Sequence, residues 1–452
     1  MLKIYDTQSR SVKEVVSNGD EVTIYCCGPT VYRDAHVGNL RTFLLSDLIR
    51  RTLELQGKTV NLVQNITDVG HMAEDLNPQD KMLAQAKLES IDPFDIARKY
   101  EANFHHDLAL LNIKPAKHYP RASESIDLMH KLIAKLIELN HAYVGSDNSV
   151  YFAAESFVSY GAISGNRLKD LKPGHRYEYI DEGGKRFHAD WALWKAAGER
   201  TEMVWDSPWG RGFPGWHIEC SAMSLDLLGD EIDVHVGGID LRFPHHENER
   251  AQTNAVTGLE TVKIWVHGEH LLFEGRKMAK SSGNVVLLKD IAARGFDPLS
   301  LRFCLLENRY RSQMDLTWDS LSAANTTLKR WRRSGLGQSK EIQIDAEILA
   351  ALENDLDTPR VMQRLRSVEK DQSLTAHEKS ALFSFADQVL GLDLDREVVV
   401  TELPSHLTKL LADREFARSS KNWSESDRIR IELESAGLII NDTAEGQEWE
   451  LR

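Results

Sequence analysis

Residues 21–66, EVTIYCCGPTVYRDAHVGNLRTFLLSDLIRRTLELQGKTVNLVQNI, decide the fold class. Glu21 to Cys27 is rich in β-branched and aromatic residues, and Gly28-Pro29 breaks the run. A helical pattern follows from about Asn39 to Gln56, with Leu40, Leu44, Leu48 and Leu55 close to one face and Gly57 placed as its C′ cap. Lys58 to Ile66 then returns to strand character. Strand, loop, helix and strand in this order predict a parallel pair joined by a right-handed crossover, hence an α/β fold.

Further along, Glu219 to Leu228 reads as helix, Asp233 to Val236 as a short strand and Glu247 to Thr257 as helix again. The parallel sheet is therefore expected to be split in sequence. Between its halves lie helical segments such as Ile126 to Leu139, then Ser149 to Phe152 and a Gly-, Lys- and Tyr-rich stretch around Leu171 to Arg186, read together as an insertion. From about Leu321 strand signals fade, and Ala346 to Leu356, Thr358 to Val368 and Ala376 to Leu390 carry the spacing of a helical bundle. Asn354 to Pro359 reads as a helix stop and restart, with Thr358 as N-cap and Pro359 at N1. After the Val398 to Thr401 run, a helical stretch from His406 to Ala436 breaks near Asn422, and Leu438 to Ile440 reads as a strand.

With 452 residues, 42% hydrophobic and 27% charged, the chain can bury several cores, which excludes wholesale disorder and suggests two to four domains. The N-terminus MLKIYDTQSR carries neither a secretion nor a transit pattern, and no apolar run is long enough to span a bilayer, so a cytoplasmic protein is expected. Four cysteines, Cys26, Cys27, Cys220 and Cys304, two of them adjacent, make a disulfide framework a poor reading and leave metal or packing roles. The net charge of −14 is the opposite of a simple nucleic-acid binder, so any RNA contact needs clustered cations. Lys329, Arg330, Arg332, Arg333 and Lys340 form one such cluster, which reads equally as a solvated helix end and linker.

The loop Cys27 to Asn39 ends where a helix begins, and free backbone N–H groups at that position favour phosphate. Gly38 permits close approach of a ligand and His36 can donate to a developing phosphate charge, although a histidine at a helix start also serves as an ordinary cap. Gly237-Gly238-Ile239-Asp240 follows a strand, so its glycines could admit a sugar and Asp240 accept ribose hydroxyls, or it could be a plain turn. In Phe243 to Glu249, His245 and Glu249 stand at i and i+4 on one face, a spacing shared by metal ligands and by surface hydrogen bonds. Cys220 and Cys27 could complete a tetrahedral set, or be buried hydrophobes as free cysteines often are. Arg414, Arg418, Lys421, Arg428 and Arg430 with Trp423 mix basic and aromatic groups near the C-terminus, fit either for RNA or for a salt-bridged helix pair.

The tetrad His36-Val37-Gly38-Asn39 resembles the HIGH signature of class I aminoacyl-tRNA synthetases, with Asn39 in place of histidine. Lys277 to Asn284, KMAKSSGN, is similar to their KMSKS signature, with Ala279 in place of serine. Together with CGPTVY, PGWHIECSAM and GGIDLRFPHHENE, in this order, these motifs resemble the cysteinyl-tRNA synthetases over nearly the whole chain, most strongly from Tyr25 to Gly283. The resemblance implies a Rossmann-type parallel-sheet catalytic domain with an insertion, followed by a helical bundle and a small C-terminal domain. The implied division is 1–113 and 200–265 for the halves of the catalytic domain, 114–199 for the insertion, 266–320 for a stem-contact region, 321–398 for the bundle and 399–452 for the anticodon-binding domain.

The same resemblance implies that L-cysteine is activated with ATP, accompanied by Mg2+, and passed to tRNA(Cys). It implies one zinc ion per chain on Cys27, Cys220, His245 and Glu249, with Cys26, His246 and Glu247 as neighbours and Cys304 packed. His36, Lys277 and Lys280 are the implied catalytic residues, with Gly38, Asn39, Gly238 and Asp240 also at ATP, and Thr30, Thr67 and Trp216 around the amino acid. A monomer is expected. A related ligase joining cysteine to an amino sugar would share both signatures and the zinc set without needing the C-terminal 130 or so residues.

Overall fold

The chain opens with an antiparallel hairpin, β1 (Lys3–Asp6) and β2 (Ser11–Glu14), and then enters the unit quoted above. That unit is β3 (Glu21–Cys26), α1 (Val37–Leu55) and β4 (Thr59–Gln64), with β3 and β4 parallel as the pattern requires. Gly57 follows α1 at φ +79°, the left-handed conformation that stops a helix. Leu40, Leu44 and Leu48 are buried, each contributing about 2 kcal/mol of apolar burial.

After α2 (Lys81–Glu89), α3 (Pro93–Leu110) and α4 (Ile126–Glu138) come β5 (Ala142–Val144), β6 (Val150–Phe152), β7 (Trp191–Ala196) and β8 (Gly212–Pro214). These four strands form an antiparallel sheet in sequence order, whose last strand lies beyond residue 199. The parallel sheet resumes with α5 (Trp216–Leu228), β9 (Ile232–Gly238), α6 (Glu247–Thr257) and β10 (Val262–Gly268). Its order is β10-β9-β3-β4, so the two halves of the sheet meet between β3 and β9. Leu62, Ile24, Val234 and Ile264 stand side by side across it and are all buried. Both faces are covered, α1 packing on one and α5 on the other, which is why the strands read as near-continuous apolar runs.

A small sheet of β11 (Leu271–Phe273), β12 (Arg276–Lys277) and, after α7 (Leu288–Ala293) and α8 (Leu299–Leu306), β13 (Met314–Leu316) follows. The bundle is α9 (Trp318–Arg333), α10 (Ala346–Glu353), α11 (Thr358–Lys370) and α12 (Ala376–Leu390). Thr358 is not the N-cap of α11, as the sequence had suggested, because the helix begins at Thr358 and Asp357 precedes it as the cap. Asp355 and Leu356, at φ +57° and +49°, turn the chain back so that Asp355 accepts from the backbone N–H of Tyr5 and from Arg311. The motif is thus a joint between the bundle and the N-terminal hairpin.

The computed structural model describes residues 1–17, 19–70, 80–171, 184–278, 284–397, 403–443 and 446–451. Lys280, Ala279, most of the Leu171 to Arg186 stretch and the Val398 to Thr401 run lie outside the described residues. The chain divides into two compact units, Met1–Arg396 and Glu397–Arg452. The second consists of α13 (Ser405–Ser419), α14 (Trp423–Ser435) and an antiparallel pair, β14 (Leu438–Thr443) and β15 (Gly446–Leu451), around Leu407, Leu411, Ile429, Leu433, Leu438 and Ile440. Asn422, where the sequence breaks the helical pattern, caps α14. No helix among the described residues is long and apolar enough to cross a membrane.

Candidate active site and metal centre

His36, Gly38 and Asn39 sit at the N-terminus of α1, beyond the carboxyl end of β3, where a doubly wound sheet presents its ligand crevice. His36 is the N-cap: its Nδ1 accepts from the Asn39 backbone N–H at 3.2 Å, and Asn39 Oδ1 accepts from the His36 N–H at 3.2 Å. Burial, helped by the charge of Arg33, holds His36 below the usual imidazole range against the opposing pull of Asp240. A neutral ring that accepts at Nδ1 carries its proton on Nε2, so capping leaves one N–H donor for a ligand. Asn39 keeps a neutral amide donor after its oxygen is used in the cap.

The other segments expected at the nucleotide lie beside this helix start. The Val37 N–H donates to Val286 O at 3.0 Å, and Asn284 Nδ2 donates to Lys277 O at 3.0 Å, so the segment after the Lys277 motif is tied to α1. A Cβ on Gly38 would stand 2.9 Å from Met278 Cε and 3.0 Å from the His36 ring, so only glycine lets these side chains close over it. Lys277 is exposed in β12. Gly238 ends β9, and the exposed Asp240 follows; a Cβ on Gly238 would lie 2.4 Å from Asp240 Oδ1.

Four buried groups converge next to the crevice: Cys27, Cys220, His245 and Glu249 offer ligand atoms within 4.8 Å of one another. His245 Nε2 stands 2.9 Å from Glu249 Oε1, and Cys27 Sγ 3.5 Å from the same oxygen. Tetrahedral zinc with bonds of about 2.0–2.3 Å has ligand–ligand edges of about 3.3–3.8 Å, so the donor set and its spacing fit that ion. Cys27 follows β3, Cys220 lies in α5, and His245 is in the turn leading into α6, which carries Glu249. Burial pushes the Cys27 thiol and the Glu249 carboxyl well above their ordinary ranges.

Cys27, His235, His246 and Glu249 form a second, overlapping set within the same separation. Cys27 Sγ lies 3.4 Å from His235 Nε2 and 3.3 Å from His246 Nε2. His246 Nδ1 meets His267 Nε2 at 2.9 Å, whose Nδ1 meets Thr7 Oγ1 at 2.8 Å. His217 Nδ1 meets His245 Nδ1 at 2.9 Å. Trp216 is half-buried with its ring 4.3 Å from that of His245, and so walls the cluster. Thr67 donates to Glu219 at 3.0 Å, and Thr30 pairs with Thr67 in a parallel bridge.

Sequence reasoning therefore named the first quartet and missed His235. Its signal was a polar residue alternating with Val234 and Val236 on a strand buried on both faces, where the alternative reading is a satisfied core histidine. Cys26 faces away, accepting from Gln64 Nε2 at 3.7 Å, while Glu247 accepts from the Ile163 and Ser164 N–H groups. Cys304 is buried and donates to Ser320 O at 3.3 Å. Arg414 is almost wholly buried and ion-paired to Asp442, while Arg428 meets Glu425 and Glu432, and Arg430 meets Glu434.

Residues 13–326 match the family model described as tRNA synthetases class I (C) catalytic domain, and residues 400–449 that of the cysteinyl-tRNA ligase anticodon binding domain. The chain is 40% identical to the cysteine--tRNA ligase of Thermus thermophilus, covering 100% of this chain and 99% of that protein. It is 40% identical to cysteine--tRNA ligase 1 of Burkholderia lata, covering 99% and 96%. A methionyl-tRNA synthetase of Mycobacterium tuberculosis solved with methionyl-adenylate shares the fold, with a TM-score of 0.53 at 14% identity over 82% of this chain and 90% of that one.

Proposed function

Because this chain belongs to the cysteine--tRNA ligase family of class I tRNA synthetases, we propose that Cys27, Cys220, His245 and Glu249 hold one zinc ion and thereby select the thiol of L-cysteine. The observation that carries this reading is the convergence of those four buried side chains. Two sulfur ligands favour it over the overlapping set with one, since zinc prefers thiolate donors. Zinc bound there supplies a Lewis acid that binds a thiolate in preference to the hydroxyl of serine. Trp216 forms the wall against the substrate side chain, and Thr30 and Thr67 line the approach.

ATP with Mg2+ lies across the start of α1. The Gly38 N–H and His36 Nε2 meet its phosphates, Asn39 binds it through its amide, and Gly238 with Asp240 takes the ribose. Lys277 and Lys280 stabilise charge on the phosphates as cysteinyl-adenylate forms and pyrophosphate leaves; the role of Lys280 rests on the signature alone. The cysteinyl group then passes to the 3′ end of tRNA(Cys). Residues 1–113 and 200–265 serve as the catalytic halves, with 114–199 inserted and its sheet closing at Pro214, and 266–320 as the stem-contact region. Residues 321–398 and 399–452 serve the anticodon side. The protein acts as a cytoplasmic monomer.

Metal analysis of the purified protein tests the reading. One zinc per chain is expected, and Cys220→Ser should lower metal content and cysteine-dependent ATP–pyrophosphate exchange together. Pure, active protein without zinc would show the assignment to be wrong.

A further inference from the structure

Much of the positive charge that the sequence offers for RNA is spent inside the protein. Arg330 is ion-paired with Glu369, and Arg332, 5% exposed, reaches Asp297 and the carbonyls of Leu392 and Asp393. Arg414, Arg428 and Arg430 are also held by carboxylates. Three cations elsewhere are not. Arg10, Arg167 and Lys169 are exposed, their side chains have no hydrogen bond or ion pair to any described residue, and they line one cavity of about 830 Å³ together with Gln8 and Ser159. No carboxylate is among the described residues that line it, although the whole chain carries a net charge of −14.

Both walls of this cavity are fixed. Gln8 and Arg10 belong to the turn between β1 and β2, where Asp6 accepts from the N–H groups of Gln8 and Ser9, and Thr7 meets Trp265 O and His267. On the other side, Ile163 and Ser164 donate to Glu247, Tyr160 donates to Asn248, and Arg250 donates to Ser159, so this wall is fastened to α6. Rigid walls reduce the ordering cost of binding. A small anion is usually held by a closed cradle of backbone N–H groups, whereas here the donors are three long cationic side chains exposed at the rim of an open cavity, beside Val158 at 98% exposure. That arrangement suits an extended chain of phosphates.

We propose that this cavity binds the sugar-phosphate backbone of the transfer RNA, a contact outside the nucleotide crevice and outside the second unit. The proposal rests on the reading of the chain as a tRNA ligase. It acts through charge and not through base edges, so it supplies affinity and orientation.

The test uses the full chain, the Arg10→Glu/Arg167→Glu/Lys169→Glu variant and the same three positions changed to Gln, with tRNA(Cys) binding measured over a KCl series. The charge-reversed variant should bind tRNA at least tenfold more weakly at about 50 mM KCl, and the glutamine variant less severely so. The slope of log affinity against log salt should fall by about 2–3, from about 0.7–0.9 per lost phosphate contact. Cysteine-dependent pyrophosphate exchange, whose residues lie elsewhere, should stay within twofold of wild type. Unchanged affinity and slope in both variants would overturn the proposal, as would intact tRNA binding with a loss confined to inhibition by inorganic pyrophosphate, which marks a small-anion site. Collapse of exchange in the glutamine variant would assign the three residues to structure instead. If the wild-type chain itself fails to bind tRNA, the family-based reading falls first, and this one with it.

Discussion

Cys26 and Cys27 are neighbours in sequence yet enter different cores, because successive residues along an extended strand point to opposite faces. Only Cys27 can reach Cys220, His245 and Glu249. Cys27→Ser is therefore expected to strip zinc from the purified protein, while Cys26→Ser keeps it, with stoichiometry read by metal analysis; equal losses would place the site elsewhere. Gly28, next along, shows how closely the loop is fitted, since a Cβ there would lie 1.6 Å from Asn65 O, well inside contact distance. An ammonium group that meets charge developing on the phosphates lowers the barrier more than it tightens the ground state, so Lys280→Ala should depress kcat for activation much more than it raises the KM for ATP. Comparable changes in both parameters would make it a simple ATP-binding residue.

Among the elements, α1 carries the most consequence, because its N-terminus holds the His36 cap and is also the site proposed for the ATP phosphates. His36 is held below its usual range chiefly by burial, so its charged form is disfavoured in the folded protein. The cap is therefore fully present above the unfolded value of about 6.5 and is lost as pH falls through the lower folded value. Asparagine caps helices without titrating, so the thermal midpoint of wild type relative to His36→Asn should be constant above about pH 7 and decline below about pH 6.5, toward a loss of about 1 kcal/mol. A difference independent of pH would separate His36 from the cap.

The helix itself was legible from leucine spacing, and the parallel strands from apolar runs bounded by Gly and Pro. The antiparallel sheet of the insertion was not: β5, β6 and β8 have three residues each, too few for a period, and their partners are set by contacts across dozens of residues. The same limit hid His235, whose strand neighbours are all apolar or glycine apart from Asp233. The candidate metal quartet could be named only by likeness, since its members lie on elements separated by up to 222 residues and no local spacing brings them together.

At the scale of the molecule, the chemistry and one half of the recognition occupy different units. Every residue assigned to cysteine, ATP or zinc lies within Met1–Arg396, whereas Glu397–Arg452 has its own core and matches an anticodon-binding family. Because each unit closes its own hydrophobic core, a chain ending at Arg396 should fold and keep cysteine-dependent pyrophosphate exchange near the full-length rate, a reaction that needs no RNA. Charging is a different matter, since it requires the correct tRNA to be held while its 3′ end reaches the adenylate. Loss of the second unit should lower kcat/KM for tRNA(Cys) by one to several factors of ten, each about 1.4 kcal/mol of recognition, mainly through a raised KM. The truncated chain should keep part of the salt dependence of tRNA binding, because the cations at Arg10, Arg167 and Lys169 remain in it. Aminoacylation kinetics beside pyrophosphate exchange on one preparation decides the point. Equal losses in the two assays would mean that the second unit supports the fold of the first, and full charging activity would mean that the anticodon side adds nothing to recognition.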